Sequence, residues 1–133
     1  MNSVRIAFVD DHPILLSGIS NLFSSNDEFT VVGLGSVAND VVELARNIAP
    51  DIIVMDLNMP GRVLEAIATV ANDYKKTKLI AFTASTNIET AISTLEAGVL
   101  GYVLKGSSLE GFFAVCVGVR VSGQFTTTPD VVS

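Results

Sequence analysis

Apolar residues recur along the chain in two alternating patterns, short continuous runs and longer stretches with helical spacing. Five runs have the length and the β-branched or aromatic content of strands: Val4–Val9, Thr30–Leu34, Asp51–Met55, Lys78–Phe82 and Leu100–Leu104. Several of them are apolar throughout, and such strands are covered on both faces, as in parallel sheets. The pattern therefore predicts five buried parallel strands.

Each run is followed by a segment whose apolar residues lie three or four positions apart, the spacing of an amphipathic helix. Pro13 suits a first helical turn, Gly98 suits the end of a helix, and Ser107 or Ser108 can cap the last helix. The sequence thus predicts an α/β fold of the (βα)5 kind, a doubly wound, five-stranded parallel sheet with right-handed crossovers.

Length and charge narrow the possible functions. A chain of 133 residues and 14.0 kDa is the size of one domain. Eight basic against fourteen acidic side chains give a net charge of −6, which disfavours a free-standing nucleic-acid binder. The single cysteine excludes an intramolecular disulfide. Because no segment resembles a membrane span or a signal peptide, we expect a cytoplasmic protein.

The last residues differ from the rest in composition. The segment from Gly123 to Asp130 is polar and rich in turn-forming residues. We therefore expect residues 1–122 to form the domain and residues 123–133 to begin a linker to a further domain that this chain does not include.

Polar and charged residues follow four of the five predicted strands. Asp10 and Asp11 follow the first strand, Asp56 the third, Thr83 the fourth and Lys105 the fifth. In open parallel sheets, sites form at the carboxyl ends of the strands. If the predicted strands are correct, three carboxylates, a hydroxyl and an ammonium group converge at one edge of the sheet.

These residue types suit phosphoryl transfer. Clustered carboxylates repel one another, and a hard divalent cation such as Mg²⁺ relieves the repulsion. A carboxylate beside Mg²⁺ and a lysine can attack a phosphoryl group, whose transition state the two cations stabilise. Taken singly, such acids are more often solvated turn residues or helix caps, and a lone lysine is more often a surface charge. The coincidence at four strand ends favours a site.

Five short motifs lie in order along nearly the whole chain, and as a set they are highly specific. They are Val9-Asp10-Asp11-His12-Pro13, Met55-Asp56-Leu57-Asn58-Met59-Pro60-Gly61, Thr83-Ala84, Glu96-Ala97-Gly98 and Gly101-Tyr102-Val103-Leu104-Lys105. With them the chain resembles a bacterial response-regulator receiver domain (CheY-like), of the LuxR or NarL type that is joined to a helix-turn-helix domain. The resemblance implies a flavodoxin-like sheet with strand order 2-1-3-4-5.

The resemblance also implies a phosphoacceptor and a metal site. Asp56 would accept the phosphoryl group from the phosphohistidine of a histidine kinase. Asp11, Asp56 and the backbone carbonyl of Asn58 would ligate Mg²⁺, and Asp10 would bind it through water. The protein would then be a signalling switch rather than an enzyme, one that catalyses only its own phosphorylation and slow dephosphorylation.

A second set of implied roles concerns the response to phosphorylation. The phosphoryl group would contact Thr83, Ala84 and Lys105. Thr83 would move toward it and Tyr102 would swing inward behind Thr83, so that the two form the switch. DNA would be bound only through the output domain, and the first and last helices could form a homodimer surface.

One loop departs from the family pattern. Relatives usually continue after Met-Pro-Gly with a few residues that end in Asp-Gly, whereas Gly61 here runs directly into Arg62. The loop is therefore shorter by about two residues than expected. Asp56 and Asn58 remain, so metal binding is expected, while the phosphorylation rate and the kinase-docking surface stay open. Arg62 either stays solvated, which we favour, or reaches a phosphoryl oxygen.

Two further residues, His12 and Cys116, are interpreted as structural rather than functional. His12 stands beside two aspartates, but Mg²⁺ prefers oxygen ligands, and we interpret the histidine as a residue at the start of a helix. Cys116 lies on the apolar face of the last helix and is interpreted as packing.

Three other functions are each compatible with part of the sequence. Residues 33–38 match the Gly-x-Gly-x-x-Ala pattern of dinucleotide-binding loops, but the match follows the second strand and gives the acids no role. A small phosphatase could use Asp56 as nucleophile. A receiver that has lost phosphorylation could act as an interaction module.

Overall fold

The computed structural model describes residues 3–127 as strands that alternate with helices. In chain order the elements are β1 Val4–Val9, α1 Pro13–Ser24, β2 Phe29–Gly35, α2 Ala38–Asn47, β3 Ile52–Met55, α3 Val63–Asp73, β4 Lys78–Thr83, α4 Ile88–Ala97, β5 Gly101–Leu104, α5 Leu109–Ser122 and β6 Thr126–Thr127. All five predicted strands are present, and the predicted ends lie within one residue of the observed ones.

All strands of the sheet are parallel, in the order β2-β1-β3-β4-β5-β6. The order of the first five confirms the predicted doubly wound fold, and the sixth strand is an addition. In β6 the Thr126 N–H donates to the Leu100 carbonyl at 2.8 Å, and the Thr127 hydroxyl donates to the Tyr102 carbonyl at 2.6 Å. The predicted boundary at residue 122 stays a prediction, and residues 128–133 of the predicted tail lie outside the described residues.

Alternate residues of the strands point into two apolar cores, one on each face of the sheet. In β1, Ala7 and Val9 belong to the core under α2, α3 and α4, whereas Ile6 and Phe8 belong to the core under α1 and α5. All four side chains are buried. Since both faces are covered, the strands are apolar throughout, which is the pattern from which they were predicted.

The helix ends follow local chemistry. The Asn87 side chain accepts hydrogen bonds from two backbone N–H groups at the start of α4, and the Ser108 hydroxyl accepts one from Gly111 at the start of α5. The predicted cap of the last helix is therefore Ser108. Gly98 ends α4 with a positive φ of 130°, as predicted. In the part of the chain that the structure describes, no helix is long and apolar enough to cross a membrane.

The Gly-x-Gly-x-x-Ala segment serves packing rather than phosphate binding. A Cβ atom at Gly33 would lie 2.6 Å from Cδ2 of Leu44, so the glycine allows α2 to approach β2 closely. At the start of α2, the Asp40 carboxylate accepts hydrogen bonds from the N–H groups of Ser36 and Val37 at 2.8 and 3.2 Å. The backbone donors that would hold a phosphate are thus occupied by a carboxylate of the chain itself.

Candidate functional site

Backbone pairing aligns the carboxyl ends of the central strands. The N–H of Asp56 donates to the carbonyl of Val9 at 2.9 Å, so the residue after β3 lies beside the end of β1. The N–H of Lys105 donates to the carbonyl of Thr83 at 2.7 Å, which ties the residue after β5 to the end of β4. The predicted site residues therefore stand along one edge of the sheet.

Three carboxylates meet at this edge. Asp10 and Asp56 are buried, with 5% and 2% of their surface exposed, and Asp11 is exposed. Ligand atoms of these residues and of His12 all lie within 4.8 Å of one another. Oδ1 of Asp56 accepts a hydrogen bond from the Asn58 N–H at 3.1 Å, whereas Oδ2 is buried without a hydrogen bond. A buried carboxylate oxygen that has no hydrogen bond and lies among other carboxylates suits a cation-binding site.

Lys105 supplies the positive charge that the sequence predicted for this edge. Its Nζ lies 3.0 Å from Oδ2 of Asp10 and 3.5 Å from Oδ2 of Asp56. It also stands 5.5 Å from the centroid of the Phe82 ring. Burial opposes ionisation of Asp10, but hydrogen bonds from His12 and Lys105 outweigh it and hold the pKa of this carboxyl below its ordinary value.

The ring of His12 also lies within the cluster. Its Nδ1 is 2.8 Å from Oδ1 of Asp10 and 3.1 Å from Oδ1 of Asp11. The hydrogen bond with Asp10, followed by the charges of Asp11 and Asp10, raises the pKa of the imidazole. The sequence indicates His12 only as a residue at the start of α1. The signal that could have pointed further is the immediate succession of two acids and a histidine after a strand.

The fourth strand contributes Thr83 and Ala84. The Thr83 side chain is buried, and its hydroxyl oxygen accepts a hydrogen bond from the N–H of Ser85 at 3.1 Å. Ala84 is exposed. Met55, the last residue of β3, pairs with Ala81 of β4. Thr83 comes two residues later in β4 and therefore lies beyond the end of β3. Contact of Thr83 and Ala84 with a phosphoryl group stays a prediction.

Tyr102 is already inside the molecule. The ring belongs to the core under α2, α3 and α4, with 2% of the residue exposed. Its hydroxyl has no hydrogen-bond partner, and burial raises its pKa. The ring borders a cavity of about 30 Å³ whose lining includes Ser85 and Asn87. Because the ring is inward in this structure, the predicted swing of Tyr102 stays a prediction.

The loop after β3 closes against α2. The carbonyl of Pro60 accepts a hydrogen bond from the N–H of Ala38 at 2.9 Å, and Gly61 adopts a φ of 108° beside Ala38. The side chain of Arg62 is 86% exposed, and its Nη1 lies 3.3 Å from a carboxylate oxygen of Glu65. Arg62 is therefore solvated, the alternative that the sequence favours.

Residues 6–115 match the family model of the response regulator receiver domain. The chain belongs to this family. The receiver domain is 37% identical over 101 residues to the nitrate/nitrite response regulator protein NarL of Escherichia coli, a match that covers 75% of this chain and 47% of that protein. It is 35% identical over 132 residues to the transcriptional regulatory protein YdfI of Bacillus subtilis, covering 98% and 60%.

Solved structures agree with this assignment. A LuxR-family two-component response regulator from Aurantimonas sp. SI85-9A1 superposes with a TM-score of 0.89 and 31% identity, covering 97% of this chain and 92% of that one. The receiver domain of NarL from Mycobacterium tuberculosis gives 0.86 at 24% identity, covering 92% and 99%, which supports the fold. The receiver domain is thus of the NarL/LuxR type. It spans about half the length of the curated relatives it matches.

Proposed function

We propose that this receiver domain is a phosphorylation-activated switch in which Asp56 accepts a phosphoryl group from a histidine kinase. The observation that carries the proposal is the carboxylate of Asp56, which is buried, has one oxygen without a hydrogen bond, and stands 3.5 Å from Lys105 Nζ. Asp10 and Asp11 stand beside it. A nucleophile, a lysine and two further acids are the components that transfer to an aspartate requires.

Mg²⁺ is the cation that we propose for this site. Asp11, Asp56 and the backbone carbonyl of Asn58 would hold it directly, with Asp10 acting through water. These donors are all oxygen, the type that Mg²⁺ prefers. When bound, the cation would neutralise charge on the oxygens of the transferred group.

The chemical step balances on a carboxylate oxygen of Asp56. That oxygen forms a bond to phosphorus, and the bond from phosphorus to the imidazole nitrogen of the donor breaks. The electron pair leaves with the imidazole, which takes up a proton. Lys105 is close enough to donate to the oxygens of the incoming group.

The response to phosphorylation would involve the neighbouring strands. A phosphoryl group on Asp56 would attract hydrogen-bond donors. Thr83 and Ala84 lie at the end of the neighbouring strand β4, and Lys105 follows β5. We propose Thr83 and Tyr102 as the switch, because the Tyr102 ring borders the Ser85–Ile88 segment directly after Thr83. A change at Thr83 can then be transmitted to the start of α4.

The longer relatives support a transcriptional output. Because this chain spans 47% of NarL and 60% of YdfI, we propose that it acts together with a DNA-binding domain that these residues do not include. The cytoplasm is the proposed location. We also propose a homodimer through α1 and α5. In α1, which carries no charged residue, Ile14 is 90% exposed, and in α5 Val121 is 76% exposed.

Intact-mass measurement with acetyl phosphate and Mg²⁺ tests the central step. We expect wild type to gain one phosphoryl group of about 80 Da, Asp56→Asn to gain none, and the exposed control Asp73→Asn to behave as wild type. No gain in wild type would favour a receiver that acts only as an interaction module. Continuous release of inorganic phosphate from small phosphate esters would favour a phosphatase.

A further inference from the structure

The imidazole of His12 lies where a ligand of the proposed cation would lie. Nδ1 is 2.8 Å from an oxygen of Asp10, 3.1 Å from an oxygen of Asp11 and 3.8 Å from an oxygen of Asp56. The backbone supports this placement, because the N–H of His12 donates to the same Asp10 oxygen at 2.9 Å. The ring therefore shares the site with three carboxylates.

The 2.8 Å contact with Asp10 is a hydrogen bond of the metal-free protein, which holds the ring in place. The spacings from Nδ1 to Asp11 and Asp56, the two side chains proposed as direct ligands, suit a coordination shell. With metal–ligand bonds of about 2.1 Å, neighbouring ligands of an octahedral cation are about 3.0 Å apart and opposite ligands about 4.2 Å apart. The separation from Nδ1 to Asp11 matches that of neighbouring ligands, and the separation to Asp56 falls between the two values. Independently, Oδ2 of the buried Asp56 has no hydrogen bond, which marks a place for a cation.

We propose that Nδ1 of His12 is a direct ligand when this site holds a borderline divalent cation such as Ni²⁺, Co²⁺ or Zn²⁺. The inference rests on the cation site of the proposed function and extends its range of metals. Imidazole nitrogen suits these borderline metals, whereas Mg²⁺ prefers oxygen and exchanges its waters reluctantly. Mg²⁺ thus uses the carboxylates, and the nitrogen adds affinity only for the others.

The chain contains few side chains that could compete with His12 for a borderline metal, so its binding can be assigned. His12 is the only histidine of the chain, so any imidazole signal from a bound metal belongs to it. Cys116, the only cysteine, is fully buried in the core under α1 and α5. Neither a second imidazole nor an accessible thiol competes for a borderline metal.

The experiment is a calorimetric titration of the untagged 133-residue chain with Ni²⁺ and, separately, with Mg²⁺. We expect His12→Gln to weaken Ni²⁺ binding by about tenfold or more and to leave Mg²⁺ binding within roughly twofold. The control Asp11→Asn removes an oxygen ligand and should weaken both. Because His12 is 62% exposed, the glutamine variant should fold, which the thermal melt of the metal-free protein checks.

Proton NMR of the Ni²⁺-loaded protein gives a second readout. Wild type should show a strongly shifted, exchangeable imidazole N–H resonance, and His12→Gln should lack it. Equal Ni²⁺ affinity in both proteins, tighter binding by the variant, or equal weakening for the two metals would overturn the inference. Nickel binding that depends on His12 without Mg²⁺ binding would instead leave the inference standing and contradict the proposed function. A chain that binds neither metal contradicts both.

Discussion

The ammonium group of Lys105 lies 3.0 Å from Oδ2 of Asp10 and so joins the end of β5 to the end of β1. Two strands, β3 and β4, separate these ends in the sheet. The ion pair thus passes over the carboxyl ends of β3 and β4, and Asp56, which follows β3, lies beside both Asp10 and Lys105. It also places a positive charge among carboxylates that would otherwise repel one another.

Lys105→Met should therefore destabilise the metal-free protein. The substitution leaves Asp10 and Asp56 buried without their cationic partner, and since Lys105 is 20% exposed we expect a loss of about 1–3 kcal/mol in the free energy of unfolding. Urea denaturation measures it, with the exposed Lys75→Met as control. Added Mg²⁺ should narrow the difference, because a cation takes over the neutralisation. Equal stability of Lys105→Met and wild type would contradict this account of the cluster.

The titration of His12 should depend on Asp10. The hydrogen bond to Asp10 and the neighbouring negative charges raise the pKa of His12 above its ordinary 6.5. We expect NMR titration of the single imidazole to give a midpoint above that value in the metal-free protein. In Asp10→Asn the midpoint should move back toward it. A midpoint that is unchanged by this substitution would mean that the ring does not contact Asp10 in solution.

The same pKa shift predicts how stability varies with pH. Because folding raises the pKa of His12, its contribution is complete below about pH 6.5 and is lost as the pH rises through the folded-state value. Without metal, wild type should therefore lose more stability than His12→Gln between about pH 5.5 and pH 8.5. The contribution of Asp10 to stability changes with pH in the opposite direction, because folding lowers the pKa of this carboxyl. Its contribution is present above the ordinary value of 3.8 and is lost as the pH falls below it.

Two glycines in helical surroundings should respond in opposite directions to alanine. At Gly98 the φ is 130° and a Cβ would lie 2.5 Å from Cβ of Ala71, so Gly98→Ala should destabilise by about 2 kcal/mol or more. At Gly18, inside α1, a Cβ would meet nothing within 4 Å, so Gly18→Ala should stabilise by about 0.5–1 kcal/mol. Thermal melts compare the two. A shift of the melting temperature in the same direction for both variants would contradict this expectation.

Ala49 offers a second backbone test. It adopts a φ of 50° just after α2, where Nη1 of Arg5 donates to its carbonyl at 2.8 Å. Since glycine tolerates this conformation better, Ala49→Gly should raise the free energy of unfolding by about 0.5–1 kcal/mol. Ala114→Gly, in the exposed middle of α5, should lower it by a similar amount. Destabilisation by Ala49→Gly would show that the positive φ carries no strain.

The sequence predicts the sheet well because its strands are buried on both faces, so their apolar runs are unmistakable. The sequence does not predict β6. This strand consists of two threonines, which pair with β5 through the backbone and through one hydroxyl group, and it therefore has no apolar pattern. The convergence of the three acids and Lys105 could be predicted because the carboxyl ends of parallel strands lie along one edge of the sheet. The orientations of the His12 and Tyr102 rings could not, because they depend on neighbours that only the folded chain brings together.

The hydroxyl of Tyr102 provides the last prediction. It is buried without a hydrogen bond, and an unpaired buried hydroxyl costs about 1–3 kcal/mol. The adjacent cavity of about 30 Å³ has room for one water molecule, which can offset part of that cost. We therefore expect Tyr102→Phe to stabilise the protein by up to about 1 kcal/mol in urea denaturation.

Tyr74→Phe is the matched control for this substitution. The Tyr74 hydroxyl accepts a hydrogen bond from Nε of Arg46 at 3.2 Å, so its removal should lower the free energy of unfolding by about 0.5–1 kcal/mol. If Tyr102→Phe were as destabilising as this control, the Tyr102 hydroxyl would have a partner in solution. If the two variants differ in sign, the inward ring of Tyr102 is held by packing alone, and movement at Thr83 can act on it without first breaking a hydrogen bond.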